Sequence, residues 1–352
     1  MSVPTTQKAL FLQGLKGDWA VESTSVPEPS ADQVLVRVEA SGLNPVDWKI
    51  RELGFTISSY PAILGFDGSG VVVKVGDNVT QVKVGDKVLF GADRADTSTR
   101  TFQQYALAFG DLVAKIPDNI TFDQAAAVNA GFATAGIALY GPKHSTGGAA
   151  LLPPWQEEGK TEYANHPILI VGGSSTVGQA AIQYAKLSGF FPIITTVSPS
   201  NTALALSLGA THTIDRSTPA SSLPSAVAAI TSTPISVIFD TIGNSDVQNV
   251  TYDDVLKEGK VFIAGSSPSN IKNPVEGKEI IRPAGFLNDA PHRSFAVDLW
   301  QRIAGYLASG DFKPNRVEYL PGGLASVPDG LERLKHGKVS GQKLVVRPTE
   351  TV

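Results

Sequence analysis

The 352-residue chain contains no cysteine. That absence removes disulfides, thiolate nucleophiles and every cysteine-ligated zinc or iron–sulfur centre. Histidine is scarce as well. His144, His166, His212, His292 and His336 are all there is, and no two stand at the i, i+4 spacing of a helical metal site. A metal site would have to be assembled from histidine and carboxylate alone. Neither sign of charge is in large excess: 29 Lys+Arg against 33 Asp+Glu leave a net charge of −4. Such a chain has no global attraction to nucleic acid or anionic lipid, although a local basic pocket for one phosphate is still open to it. No apolar run reaches membrane-spanning length. The stretch from Met1 to Gly14 lacks a basic region ahead of a long apolar one, so no signal peptide is expected. The expectation is a cytoplasmic protein without nucleic-acid or membrane partners.

What is present is enough apolar material for two cores: hydrophobic residues make up 42% of the chain and charged residues 18%. The first third reads as β-rich. Gln33 to Glu39, Gly68 to Val75 and Gly85 to Phe90 look like short strands with glycine turns, as in a barrel-like or open β domain. Asn44-Pro45 reads as the N-cap and first residue of a helix. Thr121 to Leu139 turns alanine-rich and helical. Residues 141–166 lose all periodicity and read as a long surface connection. From 167 to 265 strand and helix alternate: Ile168–Val171, a helix from Val177 to Leu187 stopped by Gly189, Pro192–Val197, a helix near 201–208, 212–214, Val237–Asp240 and Lys260–Ala264. This βαβαβ order predicts an α/β fold with a doubly wound parallel sheet. Trp300, Ile303, Ala304 and Leu307 lie at helical spacing, and Gly341 to Val346 reads as a final strand.

The informative motif is Val171-Gly172-Gly173-Ser174-Ser175-Thr176-Val177-Gly178. It sits between a buried strand and a helix, the context that a dinucleotide's pyrophosphate requires. The strict G-x-G-x-x-G is broken by Ser175, and a plain tight turn is the rival reading. An NTPase loop is excluded by Gln179-Ala180, which stand where Lys-Ser/Thr would be needed. About twenty residues on, where an NAD site places a carboxylate for the ribose 2′-hydroxyl, the sequence has Ser198-Pro199-Ser200-Asn201. With no carboxylate there, with Ser198, Ser200 and Asn201 as donors, and with Arg216 after the third strand, the reading favours NADPH over NADH.

Here the sequence resembles the medium-chain dehydrogenase/reductase superfamily over nearly its whole length. The marks are Gly65-Phe66-Asp67-Gly68-Ser69-Gly70, Val84-Gly85-Asp86-Lys87-Val88, the loop at 172–178, and Ser340-Gly341-Gln342-Lys343-Leu344-Val345. The resemblance implies a GroES-like catalytic domain from both chain ends, residues 1–132 and 300–352. A Rossmann domain would lie between them at 133–299. Zinc members carry a Cys before the first helix, a Gly-His-Glu motif and a four-Cys lobe. This sequence has Asn44, Gly65-Phe66-Asp67 and no Cys. It therefore looks like the zinc-independent branch of quinone oxidoreductases and enoyl or alkenal double-bond reductases. It most resembles fungal trans-acting enoyl reductases, on Asn44 to Lys49, Gly172 to Thr176, Leu187 to Phe190, Ser198 to Asn201 and Asp298 to Gly305.

The resemblance implies metal-free, NADPH-dependent reduction of the C=C bond of an α,β-unsaturated carbonyl compound. Quinone reduction and non-catalytic NADPH binding are the alternatives. Such chemistry needs orientation, a donor at the carbonyl oxygen and exclusion of water. Lys49, Thr134 and Tyr60 are the catalytic candidates that the resemblance supplies, and Asn44 is expected on the substrate side. Lys49 could equally be a solvated lysine, Thr134 a helical threonine bonding its own backbone, and Tyr60 a packing residue. Asp67 reads as a structural carboxylate. Gly172, Gly173, Ser174, Ser175, Thr176 and Val177 should hold the pyrophosphate. Thr241-Ile242-Gly243 and Ala264-Gly265-Ser266, beyond the carboxyl ends of late strands, should face the nicotinamide. The implied partner is a small unsaturated substrate, free or on a carrier protein, and the protein would be a monomer or homodimer.

Overall fold

The computed structural model describes residues 3–264 and 269–352. The chain runs β1 (Thr6–Leu12), β2 (Trp19–Ser25), β3 (Gln33–Gly42), α1 (Pro45–Leu53), β4 (Ala62–Ile63), β5 (Asp67–Val75), β6 (Lys87–Gly91), β7 (Tyr105–Phe109), β8 (Val113–Lys115) and α2 (Phe122–Ala125). Then come α3 (Asn129–Tyr140), β9 (Ile168–Val171), α4 (Thr176–Leu187), β10 (Ile193–Val197), α5 (Thr202–Leu208), β11 (His212–Asp215), α6 (Leu223–Ala228), β12 (Ile235–Asp240), α7 (Ser245–Val250), β13 (Leu256–Ile263) and β14 (Lys278–Ile281). α8 (Arg293–Ser309), β15 (Arg316–Tyr319), α9 (Val327–Lys335) and β16 (Gln342–Val346) follow. No helix among the described residues is long and apolar enough to cross a membrane.

These elements divide into two compact units, residues 1–130 with 286–352, and 131–285. The expected divisions were 132/133 and 299/300. The start of α8 stays with the first unit because Arg293 pairs with Asp111 at 2.8 Å. Further along α8, the Leu307 carbonyl accepts from Asn119 Nδ2 at 3.0 Å.

The first unit rests on strand alternation. Val34, Val36 and Val38 of β3 enter one core with Val72, Val88, Phe90 and Ala106, as a period of two requires. The seven-stranded sheet runs β15-β16-β3-β5-β6-β8, with β7 also paired to β3. β16, from the far end of the chain, is thereby placed beside β3, against Ser41 and Gly42. A smaller sheet, β2-β1-β4, flanks it. α1 starts at Asn44 with Pro45 in its first turn and stops at Gly54, which is left-handed (φ 73°).

The second unit has a six-stranded sheet in the order β11-β10-β9-β12-β13-β14, all parallel. β9 is buried at every residue, as expected for a strand covered on both faces. The order reverses between β9 and β12, so the loops after these two strands flank the crevice where doubly wound folds take their ligand. Residues 141–166 pack onto this unit through aromatic rings. Trp155 meets Tyr140 edge-on at 5.6 Å, and Tyr163 stacks on Phe190 at 4.7 Å.

Candidate active site

Backbone, more than side chains, shapes the second unit's crevice. Gly172 is left-handed (φ 83°) at the end of β9. A Cβ on Gly173 would stand 2.1 Å from Thr195 Oγ1, and one on Gly178 would stand 2.3 Å from the Gly172 carbonyl oxygen. Only glycine fits at either position, so the loop is held tight against β10 and the start of α4. α4 offers its N-terminal N–H groups and partial positive charge at this point. These features fit a bound dinucleotide pyrophosphate.

Ser175 behaves differently from its neighbours. Its hydroxyl caps α4 by accepting from Gly178 N–H at 2.9 Å and also donates to Thr241 Oγ1 at 2.8 Å. Thr241 in turn donates to the Val171 carbonyl at 2.9 Å. The two crevice loops are thus stitched together, and the Ser175 backbone N–H is engaged as well, donating to the Gly172 carbonyl at 3.0 Å. Asp240 fixes the second loop, its Oδ1 accepting from Ile242 N–H at 2.9 Å and Gly243 N–H at 3.2 Å. Ile242 is left exposed. Ser174, Thr176 and Val177 are part-exposed along the loop and first turn.

At the end of β10, Ser198 Oγ accepts from Asn201 Nδ2 at 3.2 Å, and Ser200 is exposed. Arg216 is exposed, and its backbone N–H bonds the Val197 carbonyl at 2.9 Å. It therefore starts beside the end of β10. Asp215 stands across from Val197 in the same register, a carboxylate the sequence reading did not weigh. It accepts from Ser217 N–H at 2.9 Å, which together with the nearby hydroxyl and Arg216 holds its pKa below the usual range. Ala264 is buried at the end of β13. Gly265 and Ser266 lie outside the described residues.

Thr134 stands apart on α3. Between Gly131 and Tyr140 it is the one residue that is not buried. Among the described residues its hydroxyl makes no hydrogen bond, so it does not bond its own helix.

The first unit is built the opposite way, from committed side chains. Lys343 of β16 is 3% exposed, yet its ammonium donates to Asp67 Oδ2 at 2.7 Å and to Asn44 Oδ1 at 2.5 Å. Asn44 Nδ2 donates to Asp67 Oδ2 at 3.0 Å, and Asn129 Nδ2 donates to Asp67 Oδ1 at 2.8 Å. Gly42 clears the way for the lysine stem, since a Cβ there would stand 2.8 Å from Lys343 Cε. Asp47, fully buried, accepts from Asn44 N–H at 2.8 Å and Gly65 N–H at 3.1 Å. Burial pushes its carboxyl up to about 7, while those two N–H groups pull it down. Arg100 lies 4.1 Å over the Phe66 ring, and burial lowers it to about 10 against the pull of Asp47, Asp93 and Asp96.

Asn44 is therefore spent inside the cluster and offers no free side-chain atom to a substrate. Lys49, two residues past Asp47 on α1, is half-buried, and desolvation lowers its pKa. Tyr60 is 36% exposed. Its hydroxyl lies 3.7 Å from where a Gly54 Cβ would be, at the far end of α1 beside Leu15. The structure thus sets Asn44, Asp47 and Asp67 together and leaves Tyr60 outside that cluster. Lys343, Asn129 and Arg100 were not foreseen as a group. The one local signal for Lys343 was a charge inside a strand otherwise followed by Leu344, Val345 and Val346.

This pairing of a β-rich unit with a doubly wound parallel sheet and glycine phosphate loop defines a pyridine-nucleotide oxidoreductase architecture. Residues 30–128 match the alcohol dehydrogenase GroES-like domain, and residues 176–284 match the zinc-binding dehydrogenase domain. A trans-enoyl reductase from Penicillium sp, grgB, is 31% identical, over 98% of this chain and 99% of its own. The enoyl reductase component of the Aspergillus terreus lovastatin nonaketide synthase, lovC, is 33% identical over 98% and 97%. The Escherichia coli quinone oxidoreductase solved with NADPH shares the fold at 20% identity, TM-score 0.73, over 97% and 99% of the two chains. The chain belongs to the medium-chain dehydrogenase/reductase superfamily, as an oxidoreductase related to the fungal trans-enoyl reductases.

The zinc in one family description does not suit the residues present. Among the described residues no three His, Cys, Asp or Glu side chains gather in a metal-binding group. A lysine ammonium is already bonded to Asn44 and Asp67, so a cation in that cluster would face a like charge.

Proposed function

We propose that this protein uses NADPH to reduce the activated C=C bond of an α,β-unsaturated carbonyl compound: an enal, an enone or an enoyl thioester. The observation that carries the cofactor half is the glycine-built loop at the strand-order reversal, followed by a β10 end bearing Ser198, Ser200 and Asn201 in place of a carboxylate. The loop N–H groups of Ser174, Thr176 and Val177 would hold the pyrophosphate, since those of Gly172, Gly173 and Ser175 already donate to Thr196 Oγ1, the Thr196 carbonyl and the Gly172 carbonyl. Ser198, Ser200, Asn201 and Arg216 would hold the 2′-phosphate, with Arg216 offsetting Asp215. Thr241 to Gly243 and Ala264, with Gly265 and Ser266, would face the nicotinamide. When bound, the dinucleotide supplies a hydride to the β-carbon.

The chain's own groups must then manage charge on the carbonyl oxygen and exclude water. Lys49 suits the first task, because partial burial makes its ammonium give up a proton more readily than a solvated lysine. Thr134 offers a hydroxyl not engaged by its helix. Tyr60, exposed beside Leu15, is the weaker candidate. The names of the fungal relatives support enoyl reduction, and the synthase-component relative supports a carrier-bound thioester as one substrate form.

The test is a steady-state panel of enals, enones, acyl thioesters and quinones with NADPH and NADH, using 4-deuterated cofactor. Deuterium on the substrate β-carbon, with NADPH preferred, is the expected outcome. Turnover confined to quinones would replace the reading with quinone reduction. No oxidation of either cofactor would leave a binding protein.

A further inference from the structure

Gly285 lies directly against Thr134. A Cβ built on it would stand 2.2 Å from Thr134 Oγ1 and 3.2 Å from Thr134 Cα and Cβ. Both residues belong to the second unit. Gly285 has no left-handed backbone to explain the glycine, since its φ lies outside the positive region that favours glycine. Nor does its segment hang loose. Ala284 N–H bonds the Thr146 carbonyl at 2.9 Å, and β14 ends just upstream at Ile281. The backbone is pinned, and the missing side chain leaves room for the threonine hydroxyl where it stands.

A threonine in a helix has two usual side-chain rotamers, and in one its hydroxyl bonds the carbonyl three or four residues back. For Thr134 those carbonyls belong to Gly131 and Ala130. The structure shows the hydroxyl unengaged, on the single part-exposed position between Gly131 and Tyr140. Any side chain at 285 would push it out of that position.

We propose that Gly285 is a positioning residue for Thr134: by lacking a side chain it keeps the hydroxyl off its own helix and open to a ligand. The inference rests on the role given to Thr134 above. Gly285→Ala turns the hydroxyl back onto the α3 carbonyls, so it reproduces the loss of the hydroxyl without removing it.

The experiment is a double-mutant cycle on full-length protein with the best substrate from the panel. Thr134→Val is expected to lower kcat by about a hundredfold to a thousandfold, as loss of one donor to developing charge does. Gly285→Ala should lower it comparably, and the double variant no further than either alone. Thr134→Ser keeps the oxygen that a Cβ at 285 would strike, so alone it should retain most of the rate, and Gly285→Ala should impair it as it impairs the threonine form. NADPH affinity, read by quenching of protein fluorescence, should change less than threefold in all variants. If Thr134→Val keeps full activity, the threonine's catalytic role fails, and this inference with it. If Thr134→Val is impaired while Gly285→Ala is not, the inference alone fails. It fails equally if the two losses multiply or if Gly285→Ala leaves the Thr134→Ser form unimpaired.

Discussion

The two units prepare their polar groups by opposite means. In the first, Asn44, Asp47, Asp67, Asn129 and Lys343 are buried and bonded to one another. In the second, Gly172, Gly173, Gly178 and Gly285 make room by having nothing to bury. The first is thus vulnerable to losing atoms and the second to gaining them. The contrast also fits their tasks. A buried ion network fixes the start of α1, which carries Lys49. A bare backbone loop leaves N–H groups for the pyrophosphate proposed above.

Breaking the first arrangement should have the largest effect. Lys343→Met keeps the stem but strips the ammonium, leaving Asp67 with its charge buried and only the two asparagine amides as donors. Removing one partner of a buried pair costs about 3–5 kcal/mol. A fall of that size in unfolding free energy is expected in urea titration, and an unchanged midpoint would remove the cluster's structural importance.

Adding one carbon to the second unit should cost less and act elsewhere. Gly173→Ala places Cβ 2.1 Å from Thr195 Oγ1. Overpacking of this kind costs about 1–3 kcal/mol. The loop must also move off β10, so NADPH affinity should fall at least tenfold. Full affinity in a folded Gly173→Ala variant would mean that the loop is not the pyrophosphate site.

The effect that is smallest per pH unit sharpens the contrast through titration. Asp47 is raised in the folded chain from 3.8 to about 7. Between those values the folded form holds a proton that the unfolded chain releases. The stability this contributes is full below the unfolded value and is lost as pH rises towards the folded one. One such proton changes stability by about 1.4 kcal/mol per pH unit. Urea midpoints at pH 4, 5.5 and 7 should show this slope removed in Asp47→Asn relative to the unaltered protein, whatever its overall destabilisation. Parallel pH profiles would mean that Asp47 stays ionised throughout, held by its two N–H donors and by Lys343 and Arg100.

The parallel sheet was readable because its signals are local. A wholly apolar Ile168–Val171, a glycine turn and an amphipathic α4 follow one another within about twenty residues. The tight glycine turn after β9 was readable for the same reason. The buried cluster was not, since Lys343 and Asp67 are 276 positions apart and nothing near either residue announces the other. The bonds of Asn44 were not legible because one of its partners is that distant lysine. That the Ser175 hydroxyl caps α4 was not legible, because a capping hydroxyl and a binding hydroxyl look alike in sequence. Gly285 carried no motif, and its meaning comes only from the threonine packed against it.

The place of Lys343 in the chain also has a consequence in time. Domains generally fold as units while the chain is being made. Residues 131–285 have all their strands long before residue 343 is synthesised. The N-terminal strands, though made first, must wait with Asp67 unneutralised until β16 arrives to supply its cation. The strands translated earliest are thus the last that can reach their native charge balance.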